Sequence, residues 1–350
     1  MSFDLLKNPA GKLLQGFDMQ SLETLLVVAA PTVRPVRPAR RLIQGARSND
    51  IDDQAAMLAG WEQHYIQFEN GPFEAAVQSA ILPNSVLFRK STNRKLYKRF
   101  APPRNGMAFA ALLAGSDPAV FQGKPAQAGD VLLISGGCEH ELICHGALNV
   151  VVAFLDEQAD LPGVHANPGV PPSIIAGAHA ARFGVWLDGI LRECSGHDED
   201  ADVGELQGEM AHRCVDLVCS RDRISADIQR NERAKPTRIL SALREFIISH
   251  LKMHDEIPTL ALVLKELGVS IRVLEYTCKS LFNVSPQRYL TCWRLHCARR
   301  DIRIRAGSVT DIALKWGFSH LGRFSIAYRE LFGERPSQTL ATSRIGVVRY

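Results

Sequence analysis

Val309-Thr310-Asp311-Ile312-Ala313-Leu314-Lys315-Trp316-Gly317-Phe318-Ser319-His320-Leu321-Gly322-Arg323-Phe324-Ser325-Ile326-Ala327-Tyr328-Arg329-Glu330-Leu331-Phe332-Gly333-Glu334-Arg335-Pro336 decides how the rest of this chain is read. The first part predicts a short helix closed by a glycine turn. In the second part Phe324, Tyr328 and Phe332 share the spacing of one helical face, so an aromatic ladder packs inward. Two helices joined by a tight glycine-containing turn make a helix-turn-helix, whose second helix is free to enter a DNA groove.

The same pattern occurs upstream. Val263-Leu264-x-x-x-Gly268-Val269-Ser270 aligns with Ile312-Ala313-x-x-x-Gly317-Phe318-Ser319 at an offset of 49. After one inserted residue, Leu274, Cys278, Phe282-Asn283 and Pro286 align with Phe324, Tyr328, Phe332-Gly333 and Pro336 at an offset of 50. The first copy departs from the second at Leu264, Cys278 and Asn283, and asparagine tolerates the left-handed turn that glycine favours. Between the copies, Ser285 is an N-cap with Pro286 at the first helical position. Tyr289, Trp293, Leu295, Ala298 and Ile302 then recur at helical intervals. A helix of roughly 20 residues spans ~30 Å, close to the ~34 Å between successive major grooves on one face of B-DNA.

Residues 237–340 resemble the DNA-binding domain of the AraC/XylS family of bacterial transcription regulators, on the signature G-F-x5-F-x3-Y-x3-F-G-x2-P from Gly317 to Pro336. The resemblance implies two reading helices. The base-reading positions expected from helix geometry and family motif are Ser270, Ile271, Arg272, Glu275 and Tyr276 in the first unit. In the second they are Ser319, His320, Leu321, Gly322, Arg323 and Ser325. Arg272 suits guanine and Glu275 suits cytosine N4. Lys279, Arg294, Arg299, Arg329 and Arg335 are candidate phosphate contacts.

The first half reads differently. Residues 74–82, 85–89, 107–113, 131–135 and 148–155 are β-like runs separated by Pro83-Asn84, Asn105-Gly106 and Gly129-Asp130. Short strands at such spacing predict a sandwich or jelly-roll barrel. The family commonly carries a cupin-like effector-binding and dimerisation domain here, and Gly71-Pro72-Phe73 and Ser91-Thr92-Asn93-Arg94 look like that type. Trp61, Tyr65 and Arg94 are candidate effector contacts, competing with plain core and turn roles. Arg37 and Arg41, spaced R-x-x-x-R in an arginine- and proline-rich segment, are candidate phosphate-ligand residues, competing with a solvated strand edge. Cys138, Glu139, His140, Cys144 and His145 suggest two alternatives, a cupin-type metal enzyme or a cysteine redox sensor. Alternation along a strand splits the metal candidates between two faces, and the H-x-H…E set of metal-binding cupins has no counterpart upstream.

The expected fold is α+β and multidomain. It comprises an N-terminal cupin-like β-barrel with dimerisation helices, and a C-terminal all-α domain with two helix-turn-helix motifs joined by a linker helix. The boundaries expected are 1–165 for the effector-binding domain, 166–220 for the dimerisation helices, 221–236 for the linker and 237–342 for the DNA-binding domain. Phe183, Trp186, Leu187, Ile190 and Leu191 form an apolar stripe for the barrel or for a second subunit.

Charge agrees with a divided chain. Residues 236–350 hold 18 Lys and Arg against 9 Asp and Glu, whereas the remainder holds 23 against 28. A basic third on a mildly acidic body suggests a polyanion partner for the C-terminal part. Hydrophobic content of 46% and charged content of 22% are ordinary for a globular chain, and no run of apolar residues reaches membrane-spanning length. The eight cysteines show no C-x-x-C pair, which fits reduced thiols in a cytoplasm. The expected partners are double-stranded DNA, a second copy of the chain, a small effector and RNA polymerase. No cofactor, metal, membrane or catalytic role is expected.

Overall fold

A computed structural model describes residues 43–58, 60–159, 171–196, 203–221 and 235–342. Arg37 and Arg41, and most of the expected 221–236 linker, lie outside the described residues. The N-terminal half runs β1 (Ile43–Ser48), α1 (Ile51–Ala56), β2 (Glu62–Gln67), β3 (Ala75–Leu82), β4 (Ser85–Thr92), β5 (Leu96–Ala101) and β6 (Gly106–Leu112). It continues with β7 (Ala119–Phe121), β8 (Lys124–Ala126), β9 (Val131–Ser135), β10 (His140–Cys144), β11 (Leu148–Asp156) and β12 (Ser173–Ile175).

These strands form two antiparallel sheets. One has seven strands in the order β1-β3-β4-β11-β6-β9-β12, and the other has five in the order β2-β5-β10-β7-β8. Neither sheet pairs its last strand with its first, nor with the other sheet, so both are open. The expected closed β-barrel is therefore corrected to two open antiparallel sheets lying face to face. The Pro83-Asn84 break works as the sequence predicts, because Leu82 pairs with Ser85 and leaves a two-residue hairpin loop.

Strand alternation sorts side chains into two cores. On β6, Ala108, Ala110 and Leu112 face the space between the sheets, while Met107, Phe109 and Ala111 face outward. The outer face is covered by α2 (Ala178–Gly196) and α3 (Val203–Arg221). Phe183, Leu187, Ile190 and Leu191 of the apolar stripe are buried there. Gly184 allows the close approach, since a Cβ at that position would lie 2.9 Å from the Ala111 Cβ. The stripe is thus used within the chain.

The C-terminal part is all helical. It comprises α4 (Lys235–His254), α5 (Leu260–Leu267), α6 (Ile271–Phe282), α7 (Pro286–Arg303), α8 (Val309–Lys315), α9 (Leu321–Phe332) and α10 (Pro336–Thr342). Its core continues onto the outer face of the five-stranded sheet, where Ile66, Phe68, Tyr97 and Ile143 join the helical residues. The order of layers is α2 and α3, seven-stranded sheet, five-stranded sheet, then the C-terminal helices.

Candidate nucleic-acid interface

Each helix-turn-helix is built by local rules. In the first unit, Thr259 caps α5 by accepting the Leu262 N–H at 3.3 Å. Gly268 turns left-handed at φ 60°, and Ser270 caps α6 by accepting the Val273 N–H at 3.4 Å. In the second unit, Ser308 caps α8 through the Asp311 N–H at 3.1 Å, and Gly317 turns at φ 79°. The inserted residue lies in this turn. It puts His320, not Ser319, at the N-cap of α9, where no side-chain bond caps the helix. Asn283 and Gly333 close the second helix of each unit in the left-handed conformation, at φ 57° and 76°.

The inward faces are apolar and the outward faces open. Leu274, Cys278 and Phe282 are buried on α6, as are Phe324, Tyr328 and Phe332 on α9. Ser270, Ile271, Arg272, Glu275 and Tyr276 are all exposed, and so are Ser319, His320, Leu321, Gly322, Arg323 and Ser325. The expected reading positions therefore form two exposed patches, one at the leading end of each second helix. Helix α7 lies between the two units. Ser285 caps it by accepting the Arg288 N–H at 3.2 Å, and its 18 residues reach about 27 Å at ~1.5 Å per residue.

Residues 263–342 match the family model described as a helix-turn-helix domain. The C-terminal segment carries a helix-turn-helix domain. Over 113 residues the chain is 35% identical to the Probable thc operon regulatory protein of Rhodococcus erythropolis, covering 31% of this chain and 34% of that protein. Over 160 residues it is 28% identical to XylDLEGF operon transcriptional activator 1 of Pseudomonas putida, covering 44% of this chain and 47% of that protein. The chain thus spans between a third and a half of the length of these relatives. Among solved structures, the AraC-like transcriptional activator CuxR is 14% identical at a TM-score of 0.42, over 74% of this chain and 96% of that one.

The candidate phosphate contacts of the helix-turn-helix domain divide in the structure. Lys279, Arg329 and Arg335 are exposed, while Arg294 is half-buried and donates to the Pro258 carbonyl at 3.3 Å. Arg299 is 4% exposed. It donates to Asp50 at 2.6 Å and to Glu334 at 2.7 Å, and lies 4.7 Å from the Phe332 ring centre. A guanidinium so enclosed has no path to DNA phosphate, and the expected role of Arg299 is corrected to a structural ion pair. Asp50 also pairs with Arg303 and accepts the Asp52 and Asp53 N–H groups as the N-cap of α1. Burial alone would raise its carboxyl pKa, but Arg299 and Arg303 outweigh burial and hold it below the usual value.

Sequence reasoning did not find this seam between sheet and helices. It also includes Gln67, Phe68, Gly71 and His296. Phe68 stacks on Tyr289 at 4.9 Å, and Gln67 Nε2 donates to the Leu331 carbonyl at 2.7 Å. The Gly71 N–H donates to the Glu330 carbonyl at 2.8 Å. The acidic run Asp50-Ile51-Asp52-Asp53, set against Arg299 and Arg303 one turn apart, was the available signal.

His296 makes the seam sensitive to acid. Its Nε2 accepts the Gln67 N–H at 2.8 Å, which requires an unprotonated Nε2. Burial first, then Arg300 and Arg299, pull its pKa down to about 3. The unfolded chain binds this proton near pH ~6.5. The contribution is therefore complete above that pH and is lost as pH falls from ~6.5 towards 3, by up to ~1.4 kcal/mol per pH unit. Denaturation midpoints from pH 7 to 4 should fall less steeply in His296→Gln than in the parent. Equal slopes would remove His296 as the source.

A cavity of about 60 Å³ lies between the two sheets, lined by Trp61, Tyr65, Lys90, Lys98 and apolar residues such as Phe88 and Val152. Two of the expected effector residues, Trp61 and Tyr65, are thus brought together. Arg94 is elsewhere, donating to the Pro72 carbonyl at 2.8 Å on the surface, and is corrected from pocket to loop anchor. The metal candidates are also separated. His140 is buried with its Nε2 2.8 Å from the Ser135 carbonyl and its Nδ1 3.3 Å from Gln122, while Glu139 pairs with Arg99 at 2.7 Å. Among the described residues no group of three or more His, Cys, Asp or Glu is placed to hold a metal. Cys138 precedes β10 and Cys144 ends it, so they flank one strand and cannot meet across a hairpin. Burial pushes the Cys144 thiol pKa up, away from a reactive thiolate.

Proposed function

We propose that this chain is a sequence-specific DNA-binding transcription regulator that reads two adjacent major grooves. It would act as a homodimer under the control of a small effector held in the N-terminal domain. The carrying observation is the pair of helix-turn-helix units with exposed leading turns and buried backs. Exposed Ile271 and Leu321 beside Arg272 and Arg323 combine apolar contact for a thymine methyl with guanidinium for guanine. The expected divisions at 165, 220 and 236 stand as proposed domain boundaries, and RNA polymerase as a proposed further partner. No helix among the described residues is long and apolar enough to cross a membrane.

The N-terminal half touches the trailing ends of both reading helices, which supports effector control. Phe282 at the end of α6 lies 4.4 Å from Phe68, and its carbonyl accepts from Lys95 Nζ at 3.5 Å. The end of α9 is held by Gln67 and Gly71. A shift of β2 and its following loop would therefore bear on the ends of both α6 and α9. An effector that binds one of two such arrangements better shifts the population towards it.

Selection of duplexes from a random library by the full chain tests this reading. The expected outcome is a bipartite site whose halves lie about one helical turn apart, roughly 10 bp. Arg272→Ala should relax preference at one base pair and cost ~1–3 kcal/mol of binding. Failure to enrich any site would overturn the function. An unchanged site and affinity in the variant would overturn Arg272 alone.

A further inference from the structure

Lys90 and Lys98 are 5% and 4% exposed, and both line the cavity between the sheets. They come from opposite sheets, Lys90 from β4 and Lys98 from β5. Lys90 Nζ donates to Gln63 Oε1 at 2.9 Å and to the Tyr65 hydroxyl. Lys98 Nζ donates to Thr92 Oγ1 at 3.4 Å. Both also lie over the Tyr65 ring, at 4.7 and 5.4 Å from its centre. These partners are all neutral. No ion pair to either lysine is present among the described residues, and burial lowers both pKa values, with Lys98 adding to the effect on Lys90.

Two buried amines facing each other without a carboxylate must either give up a proton or be accompanied by an anion. Asp188 on the outer face of the seven-stranded sheet shows the contrast, because it is buried but pairs with Arg89 at 3.0 Å. The rest of the cavity wall is hydrocarbon. It offers no arginine fork and no helix N-terminus, so it lacks the several donors a phosphate needs. A single carboxylate with an apolar tail matches one charged end and one greasy end. The volume of about 60 Å³ exceeds the roughly 10–15 Å³ that one water requires and falls below the roughly 150 Å³ that admits benzene.

We propose that the inter-sheet cavity binds a short aliphatic monocarboxylate, its head bridging Lys90 and Lys98 and its tail against Phe88, Leu132 and Val152. This names the effector class and rests on the regulator reading above. Strand alternation supplies the route outward. Lys98 faces the cavity, whereas its neighbour Tyr97 faces the C-terminal helices and accepts from Arg244 of α4 at 2.7 Å. Anion binding therefore acts on the strand whose other side holds the DNA-binding helices.

Titration calorimetry of the full chain with sodium propanoate, propanamide and propan-1-ol is the test. The acid should bind at least roughly tenfold more tightly than either neutral analogue, the amount one charge-assisted hydrogen bond supplies. Lys98→Met and Lys90→Met should each weaken the acid by a similar factor. Each should also raise the melting temperature without ligand, because a buried amine that burial disfavours as a cation is replaced by an apolar side chain. Val152→Trp, which fills the cavity and leaves both lysines, should abolish binding. No binding of acid, equal binding of the neutral analogues, or full affinity in both methionine variants would overturn the site. DNA selection by the unsubstituted full chain, set beside its calorimetry, separates the two readings. Site enrichment without acid binding sinks only the carboxylate site, and acid binding without enrichment sinks only the regulator.

Discussion

Replacing Arg299 with alanine is expected to cost about 3–5 kcal/mol of folding stability, because it strands buried charge. Arg299 is 4% exposed and joins Asp50 of the N-terminal half to Glu334 of the helix-turn-helix domain. Tyr328 and Thr339 are within 3.3 and 3.4 Å of the same nitrogen, and their own oxygens are 2.9 Å apart. Removing the guanidinium leaves the buried Asp50 carboxylate to Arg303 alone and takes the shared donor from Glu334 and the Tyr328 hydroxyl. Arg303 next to it is half-exposed and also touches Asp53, so water can replace it and Arg303→Ala should cost well under half as much. Urea denaturation of the two variants checks the order. A loss below ~1 kcal/mol for Arg299→Ala would mean the ion pair does not hold the seam. If the seam also positions the reading helices, Arg299→Ala at a permissive temperature should change DNA affinity although it touches no DNA.

The second large effect separates core from contact surface on a single helix. Phe324→Ala is expected to lose about 3–5 kcal/mol, in the range for deleting a buried aromatic ring. Phe324 is 1% exposed, with Phe318 at 5.0 Å and Tyr328 at 5.6 Å between ring centres. Its chain neighbour Arg323 is exposed. Arg323→Ala should leave stability within about 0.5 kcal/mol while weakening DNA binding at one base pair. Thermal melts and binding curves on both variants give the comparison. A stable Phe324→Ala protein with altered specificity would put the aromatic ladder at the interface and reverse the assignment.

The repeat explains why the C-terminal half could be read so closely. Capping serines, left-handed glycines and apolar spacing act over distances of one or two turns, so Ser270, Gly268 and Leu274 carry their own instructions. Even there the inserted residue had a consequence that alignment did not show, since it puts His320 at the N-cap of α9 while the aligned Ser270 caps α6. The β-rich half was only partly legible. Residues 74–82, 107–113 and 131–135 lie close to β3, β6 and β9, but β2, β5 and β10 were missed. Leu96-Tyr97-Lys98 of β5 is buried on both faces, with polar and apolar side chains mixed on each, so period-two alternation is lost. The expected barrel failed for a related reason. Closure depends on hydrogen bonding between edge strands, which no local pattern reports.

By itself the sequence determined the two helix-turn-helix units, the buried aromatic ladder and the polar leading turns from Ser270 and Ser319, because these follow from neighbours in the chain. Tertiary structure decided what Arg299, His296, Lys90 and Lys98 do. Arg299 looks like one more basic residue until Asp50, 249 positions away, is placed against it. Lys90 and Lys98 look like ordinary strand lysines until two sheets bring them to opposite walls of one cavity. The physical reason is the same in each case. A charge takes its meaning from its desolvation and its partner, and both are set by parts of the chain far away in sequence.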